Sequence, residues 1–189
     1  MSDHADPEVW LVRHGETEWS RDGKHTSTTD LPLTAVGEQT ATSLAPRLAD
    51  VEFDLVLTSP RQRARRTAEL AGFAAAQPDD DLAEWAYGDY EGATTPEIRE
   101  TVPGWTVWTH PSPGGESADE VSARLDRVVE RVREHRRVLV FAHGHSLRVL
   151  TARWLCQPAE EGRFFRLDTS TVSVLGFERE TPVLLKWNS

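Results

Sequence analysis

Apolar and polar positions along this chain follow two alternating periods. Val9-Trp10-Leu11-Val12 is a short apolar run ending in Arg13, and the polar stretch Glu16–Leu33 follows it. From Thr34 the period lengthens: Val36, Ala41, Leu44, Ala45 and Leu48 recur at the spacing of an amphipathic helix, with Pro46 set to kink or shorten it. Asp54–Thr58 reads as a buried strand. Ser59-Pro60 reads as a helix start, with Ser at the N-cap and Pro at the first helical position. Gln77–Glu116 is the least regular stretch and holds five of the nine Trp and Tyr residues, with a short helix expected from Thr95-Pro96 and a loop at Pro111, Pro113, Gly114 and Gly115. Ser117-Ala118-Asp119-Glu120 forms a capping box that leads a helix with Val121, Leu125, Val128, Val129 and Val132 on one stripe. Val138–Ala142 is nearly all apolar, as in a strand buried on both faces. Ser146–Cys156 returns to helix, and Thr171–Phe177 and Pro182–Trp187 finish the chain as two strands around a polar turn.

Strand and helix alternate through most of this length. The pattern predicts an α/β fold, a three-layer α/β/α sandwich with a mainly parallel central sheet and an antiparallel C-terminal edge. The 189 residues suit a single domain, 1–189, with an irregular cap region at about 84–116.

The formal net charge of −10 argues against nucleic acid and anionic membrane as partners. It also means that any phosphorylated ligand needs a local positive pocket. Arg61, Arg63, Arg65 and Arg66 form the densest basic cluster. No stretch approaches the roughly 20 apolar residues of a membrane span, and the polar, acidic Met1–Glu8 is unlike a secretory signal. His4 carries no motif and reads as a surface residue. The lone Cys156, beside Trp154 and Leu155, reads as a small buried hydrophobe; a single thiol with no internal partner fits a reducing cytoplasm. The oligomeric state stays open between monomer and homodimer.

Candidate chemistry gathers at predicted strand ends. Arg13-His14-Gly15 follows the first strand, where open α/β sheets build their ligand crevice, and Gly15 lets the backbone turn sharply. His143-Gly144-His145 follows another strand. Ser59-Pro60-Arg61-Gln62-Arg63 follows a third, offering a helix N-terminus to an anion. Glu84, next to Trp85, is a carboxylate with an aromatic neighbour, a setting that favours the protonated acid. His143-Gly144-His145 also reads as a two-histidine metal pair, but no Asp or Cys stands at ligand spacing, so no metal and no cofactor are expected.

These residues resemble the histidine phosphatase superfamily, the phosphoglycerate-mutase-like or two-histidine phosphatases. The resemblance runs from Leu11 to about Phe177. It rests on Arg13-His14-Gly15-Glu16-Thr17, Ser59-Pro60-Arg61-Gln62-Arg63-Ala64 with Thr67, Glu84 ahead of Tyr87-Gly88-Asp89-Tyr90-Glu91-Gly92, Gly114-Gly115-Glu116-Ser117, and His143-Gly144 with Arg148. It implies that His14 is a nucleophile that becomes phosphohistidine, that Arg13, Arg63 and His143 complete the phosphate pocket, and that Glu84 donates the proton. Arg61, Arg65 and Arg66 are then helix surface, Arg148 is structural and His145 sits at the pocket rim. Phosphoryl transfer asks mainly for positioning and charge stabilisation, which guanidinium groups supply.

Within the family the fork is phosphatase against 2,3-bisphosphoglycerate-dependent phosphoglycerate mutase. Thr26-Ser27 stands where the mutases carry a Ser/Thr-Gly pair, and Arg99 is the one Lys or Arg between Glu84 and Glu116. A pocket poor for phosphoglycerate is the expectation, which favours hydrolysis. The stretch from Glu84 to Gly92 with Trp105, Trp108 and His145 is similar to the branch holding sedoheptulose-bisphosphatase-like enzymes and broad acid phosphatases. The expected substrate is a small phosphorylated metabolite such as a sugar phosphate, held by Thr26, Ser27, Trp85, Tyr87, Gly144 and His145. The other class is a non-catalytic relative that binds phosphorylated ligands or partner proteins through the same pocket.

Overall fold

The computed structural model describes residues 6–189; His4 and the rest of the first five residues lie outside the described residues. Strand β1 (Glu8–Arg13) is followed by a one-turn helix α1 (Glu18–Arg21), then by α2 (Ala35–Thr42) and α3 (Ala45–Leu48). Next come β2 (Leu55–Thr58), α4 (Gln62–Leu70), the short β3 (Gln77–Pro78) and α5 (Thr95–Thr101). The chain closes with α6 (Ala118–Val132), β4 (Arg137–Ala142), α7 (Gly144–Trp154), β5 (Val172–Glu178) and β6 (Thr181–Lys186). The six strands form one sheet in the order β3-β2-β4-β1-β5-β6. The first four run parallel, and β5 and β6 add antiparallel at one edge, as the strand–helix alternation predicts.

Side chains alternate across this sheet. Val138, Val140 and Ala142 face a core shared with Val121, Leu125 and Val128 of α6 and Leu147 and Leu150 of α7. Leu139 and Phe141 face the other way, toward Leu44, Leu48, Ala68 and Ala71. The irregular stretch at 84–116 belongs to the first of these cores: Trp85, Tyr87, Ile98, Trp105 and Val107 are buried in it. Its order comes from packing around large rings rather than from periodicity, so the sequence pattern alone shows little of it.

Five expectations need correcting. The helix read from Thr34 to Leu48 is two helices, because Pro46 has no N–H to give and its ring crowds the carbonyl four residues back, so α2 ends at Thr42. Val36, placed on the apolar face, is 56% exposed, since α2 packs through Gly37 and Ala41. Helix α4 starts at Gln62, not at Pro60, and its cap comes from outside: Asp30 Oδ1 accepts from Gln62 N at 2.9 Å. Cys156 is exposed, because the chain leaves α7 through a left-handed turn at that residue (φ 58°). Trp154 is fully buried, whereas Trp187, the other C-terminal indole expected in the core, is only half-buried and donates to Arg166 O at 2.6 Å.

The loop after β1 lies directly on α2. A Cβ at Gly37 would stand 2.2 Å from Glu16 O, and one at Gly15 2.6 Å from Gly37 O. On an open helix face Gly→Ala stabilises by about 1 kcal/mol. Here the added methyl meets backbone, so Gly37→Ala should destabilise by about 1–3 kcal/mol. A urea midpoint at or above that of the parent chain would contradict this contact.

Candidate active site

Parallel pairing of β1 with β4 sets Arg13 opposite Ala142, so the next residues, His14 and His143, emerge side by side. Their rings meet edge to face with centroids 5.1 Å apart. The His14 Nδ1–H donates to Gly15 O at 2.7 Å. A carbonyl only accepts, so the proton sits on Nδ1 and Nε2 keeps its lone pair. Burial, then the nearby Arg63 and Arg13, hold this ring well below the ordinary histidine range, and it is neutral. Gly15 N donates to Thr67 Oγ1, which donates in turn to Arg63 O, tying the loop to α4.

Arg13 lies across the start of α7. Its Nη1 donates to Leu167 O at 2.5 Å, and its buried Nε has no partner in the described chain. Gly144 makes room for it: a Cβ there would come within 3.3 Å of the Arg13 Cζ. The bare residue thus serves the arginine's position.

Glu84 approaches the same helix end. Its Oε1 accepts from Trp85 N and Ser146 N at 2.9 and 2.7 Å, and its Oε2 from His145 N at 3.0 Å. The expected apolar setting beside an indole is therefore replaced by three backbone donors, two of them at the N-terminus of α7. The helix start predicted to face an anion was that of α4, which Asp30 caps instead.

Arg63 and His143 stand one layer behind. Both are fully buried, and neither lines the cavity. Arg63 donates from Nε to His143 Nδ1 at 3.2 Å, from Nη1 to Thr29 O, and from Nη2 to Thr26 O and Ser27 O. Because His143 Nδ1 accepts, its Nε2–H donates to Ser59 Oγ at 2.7 Å. Ser59, expected as a helix cap, holds this histidine instead. Burial and Arg63 keep His143 neutral as well.

A cavity of about 170 Å³ opens in front, lined by Arg13, His14, Glu84, Tyr87, His145 and residues around them. Of the expected substrate-binding residues, Thr26, Tyr87, Gly144 and His145 line it. Ser27 does not, because its N–H and hydroxyl both donate to Glu91. Trp85 does not either: it is buried in the cap region, where its Nε1–H donates to Glu116 O. Residues missed by sequence reasoning also line the cavity, namely Thr17, Ser20, Gly23, Lys24, His25, Arg148 and Leu167. The polar run ahead of Thr26 carried no motif to single out Lys24 and His25. Arg148 was read as structural; it does bind Gly162 O and Arg163 O and lies over the Trp108 ring, but it also faces the cavity. Arg13, Lys24 and Arg148 against Glu84 make the lining positive within a chain of net charge −10. That is the local positive pocket the overall charge demanded. A wider groove of about 710 Å³, bounded by Leu33, Arg66 and Phe73, contains none of these residues.

The family model of the histidine phosphatase superfamily (branch 1) matches residues 9–189. The chain belongs to this superfamily. An acid phosphatase of Mycobacterium tuberculosis is 44% identical over 173 residues, 89% of this chain and 85% of that protein. A sedoheptulose 1,7-bisphosphatase of Saccharomyces cerevisiae is 36% identical over 82% of this chain and 72% of its own length. A solved Mycobacterium tuberculosis structure superposes with a TM-score of 0.92 at 41% identity, covering 96% of this chain and 97% of that one. This member of the histidine phosphatase superfamily is an enzyme of the phosphatase type. No helix among the described residues is long and apolar enough to cross a membrane.

The neutral rings have a consequence for stability. Burial lowers His14, His25, His143 and His145 below the ordinary value of about 6.5. The unfolded chain takes up protons there that the folded chain refuses. Stability is therefore complete above about pH 6.5 and declines as pH falls through it, by about 1.4 kcal/mol per pH unit for each fully shifted ring. Urea midpoints should hold level from about pH 8 to about pH 7 and fall from there to about pH 5.5, and a profile flat over the whole range would refute buried neutral histidines.

Proposed function

We propose that this chain is a metal-independent phosphomonoesterase working through a phosphohistidine on His14. One observation carries the reading: the Nδ1–H···O=C bond to Gly15, which leaves an unprotonated Nε2 on a neutral ring beside Arg13. In the first step Nε2 forms a bond to phosphorus as the P–O bond to the alcohol breaks. Glu84, once protonated, gives its proton to the departing oxygen. In the second step water attacks the phosphohistidine, Glu84 takes the proton, and phosphate leaves with His14 restored. Arg13 offers the free face of its guanidinium to the phosphoryl oxygens. Arg63 and His143 act on the phosphate only after exchanging a present partner; as they stand they hold the floor beneath His14.

The substrate proposed is a small sugar phosphate. The name of the sedoheptulose 1,7-bisphosphatase relative supports this, as do the donors on the wall, where Tyr87 and His145 stand as expected and His25 is present without Trp85. Lys24 and Arg148 favour a second reading, because they supply cations that the pocket was expected to lack for a phosphoglycerate. A phosphate-release screen over sugar phosphates, 3-phosphoglycerate and nucleotides, with and without 2,3-bisphosphoglycerate, separates the two: hydrolysis without the bisphosphate supports the phosphatase, and isomerisation dependent on it supports the mutase. Binding without turnover across that panel would favour a non-catalytic relative.

Replacing His14 by Ala should lower turnover by about four orders of magnitude or more and abolish acid-labile protein-bound phosphate. Label retained in that variant would overturn the nucleophile. Glu84→Gln should cost about a hundred- to ten-thousand-fold in kcat, and EDTA should leave the parent rate unchanged.

A further inference from the structure

Tyr87 is buried at the back of the cavity, and its hydroxyl stands 2.5 Å from His145 Nδ1. That contact is the one hydrogen bond the phenol makes within the described chain. If Nδ1 carried the proton, the phenol oxygen would accept it and the phenol's own hydrogen would have no acceptor in the described chain. The arrangement that satisfies both groups has Tyr87 donating and Nδ1 accepting. The imidazole proton then sits on Nε2. That nitrogen has no partner in the described chain and is not sealed from solvent, while His145 itself lines the cavity.

The residue is held from every side. Its backbone N–H donates to Glu84, and its ring meets the edge of Trp108 at 5.1 Å and stacks on His25 at 6.1 Å. Trp108 is itself wedged between the Arg148 guanidinium and Gly162, where a Cβ would approach to 2.7 Å. Burial also keeps the phenol protonated and the imidazole neutral.

We infer that Tyr87 is a positioning residue that locks His145 in the Nε2–H form, making His145 a hydrogen-bond donor for a hydroxyl oxygen of the leaving alcohol. The ligand class is a polyhydroxylated phosphomonoester rather than a bare aryl or alkyl phosphate. This rests on the phosphatase reading for its substrate, but the tautomer does not. Loss of the lock should cost discrimination between substrates more than chemistry, since the two side chains hydrogen-bond each other and neither bonds the side chain of His14, Arg13 or Glu84.

Two measurements test it. Nitrogen-15 NMR of the unliganded protein, with His145 assigned by its loss in His145→Gln, should show a neutral ring protonated on Nε2. In Tyr87→Phe that preference should disappear. A ring protonated on Nδ1 in the parent chain would overturn the lock. Fructose 6-phosphate is then used as a competitor of p-nitrophenyl phosphate, which carries no hydroxyl. Tyr87→Phe should raise the inhibition constant of fructose 6-phosphate by about five-fold more than the KM of p-nitrophenyl phosphate. His145→Leu should do the same, and His145→Gln, which keeps an N–H near the Nε2 position, should recover much of the difference. Equal shifts for both ligands, or no competition by fructose 6-phosphate in the parent chain, would refute the hydroxyl donor. Absence of phosphate release in the parent chain from both p-nitrophenyl phosphate and the sugar phosphates is failure of the phosphatase reading, and the NMR result is independent of it.

Discussion

The register of β1 against β4 is the constraint from which the site follows. With Arg13 opposite Ala142, both strands end at the same height, and the two histidines that follow them must share one space. A one-residue slip would turn every core side chain of β1 to the wrong face. The apolar alternation that seals Val9 and Leu11 on one side and Val12 on the other therefore also aligns the chemistry. Parallel β2 adds the third strand end, with Thr58 opposite Phe141, so Ser59 reaches His143.

What gathers there is expensive to bury. Arg63 is fully enclosed, and it is kept there by three backbone carbonyls and an imidazole nitrogen rather than by a carboxylate. Such an arrangement satisfies donors without neutralising the charge. Glu84 lies near enough to oppose the effect of burial on both Arg13 and Arg63. The positive field is left for an anion to complete, and it also holds the histidines neutral. One electrostatic choice thus prepares the nucleophile and attracts the group it attacks.

Much of this was legible along the chain. The strand apolar runs, the Ser117 capping box and the α6 stripe are local signals, and each formed where the pattern places it. The motif residues Arg13, His14 and His143 converge because strand ends in a parallel sheet converge, and Glu84 joins them through the N–H groups at the start of α7. The misreadings share a cause. Ser59 is a good cap by type, yet its hydroxyl goes to His143 and α4 is capped by Asp30, a residue 32 positions away. Trp85 has the chemistry to stack on a sugar, but the cap region needed its ring in the core.

The sequence by itself determined the layer order, the strands that end in chemistry and the kind of chemistry. Periodicity and residue type are properties of short segments, and short segments are what a sequence displays. Tertiary structure alone decided which nitrogen of His14 is free, that Glu84 rests on a helix end, and that Lys24, His25 and Arg148 join the cavity. These facts depend on who donates to whom across long chain separations. A hydrogen bond between distant residues leaves no period to read.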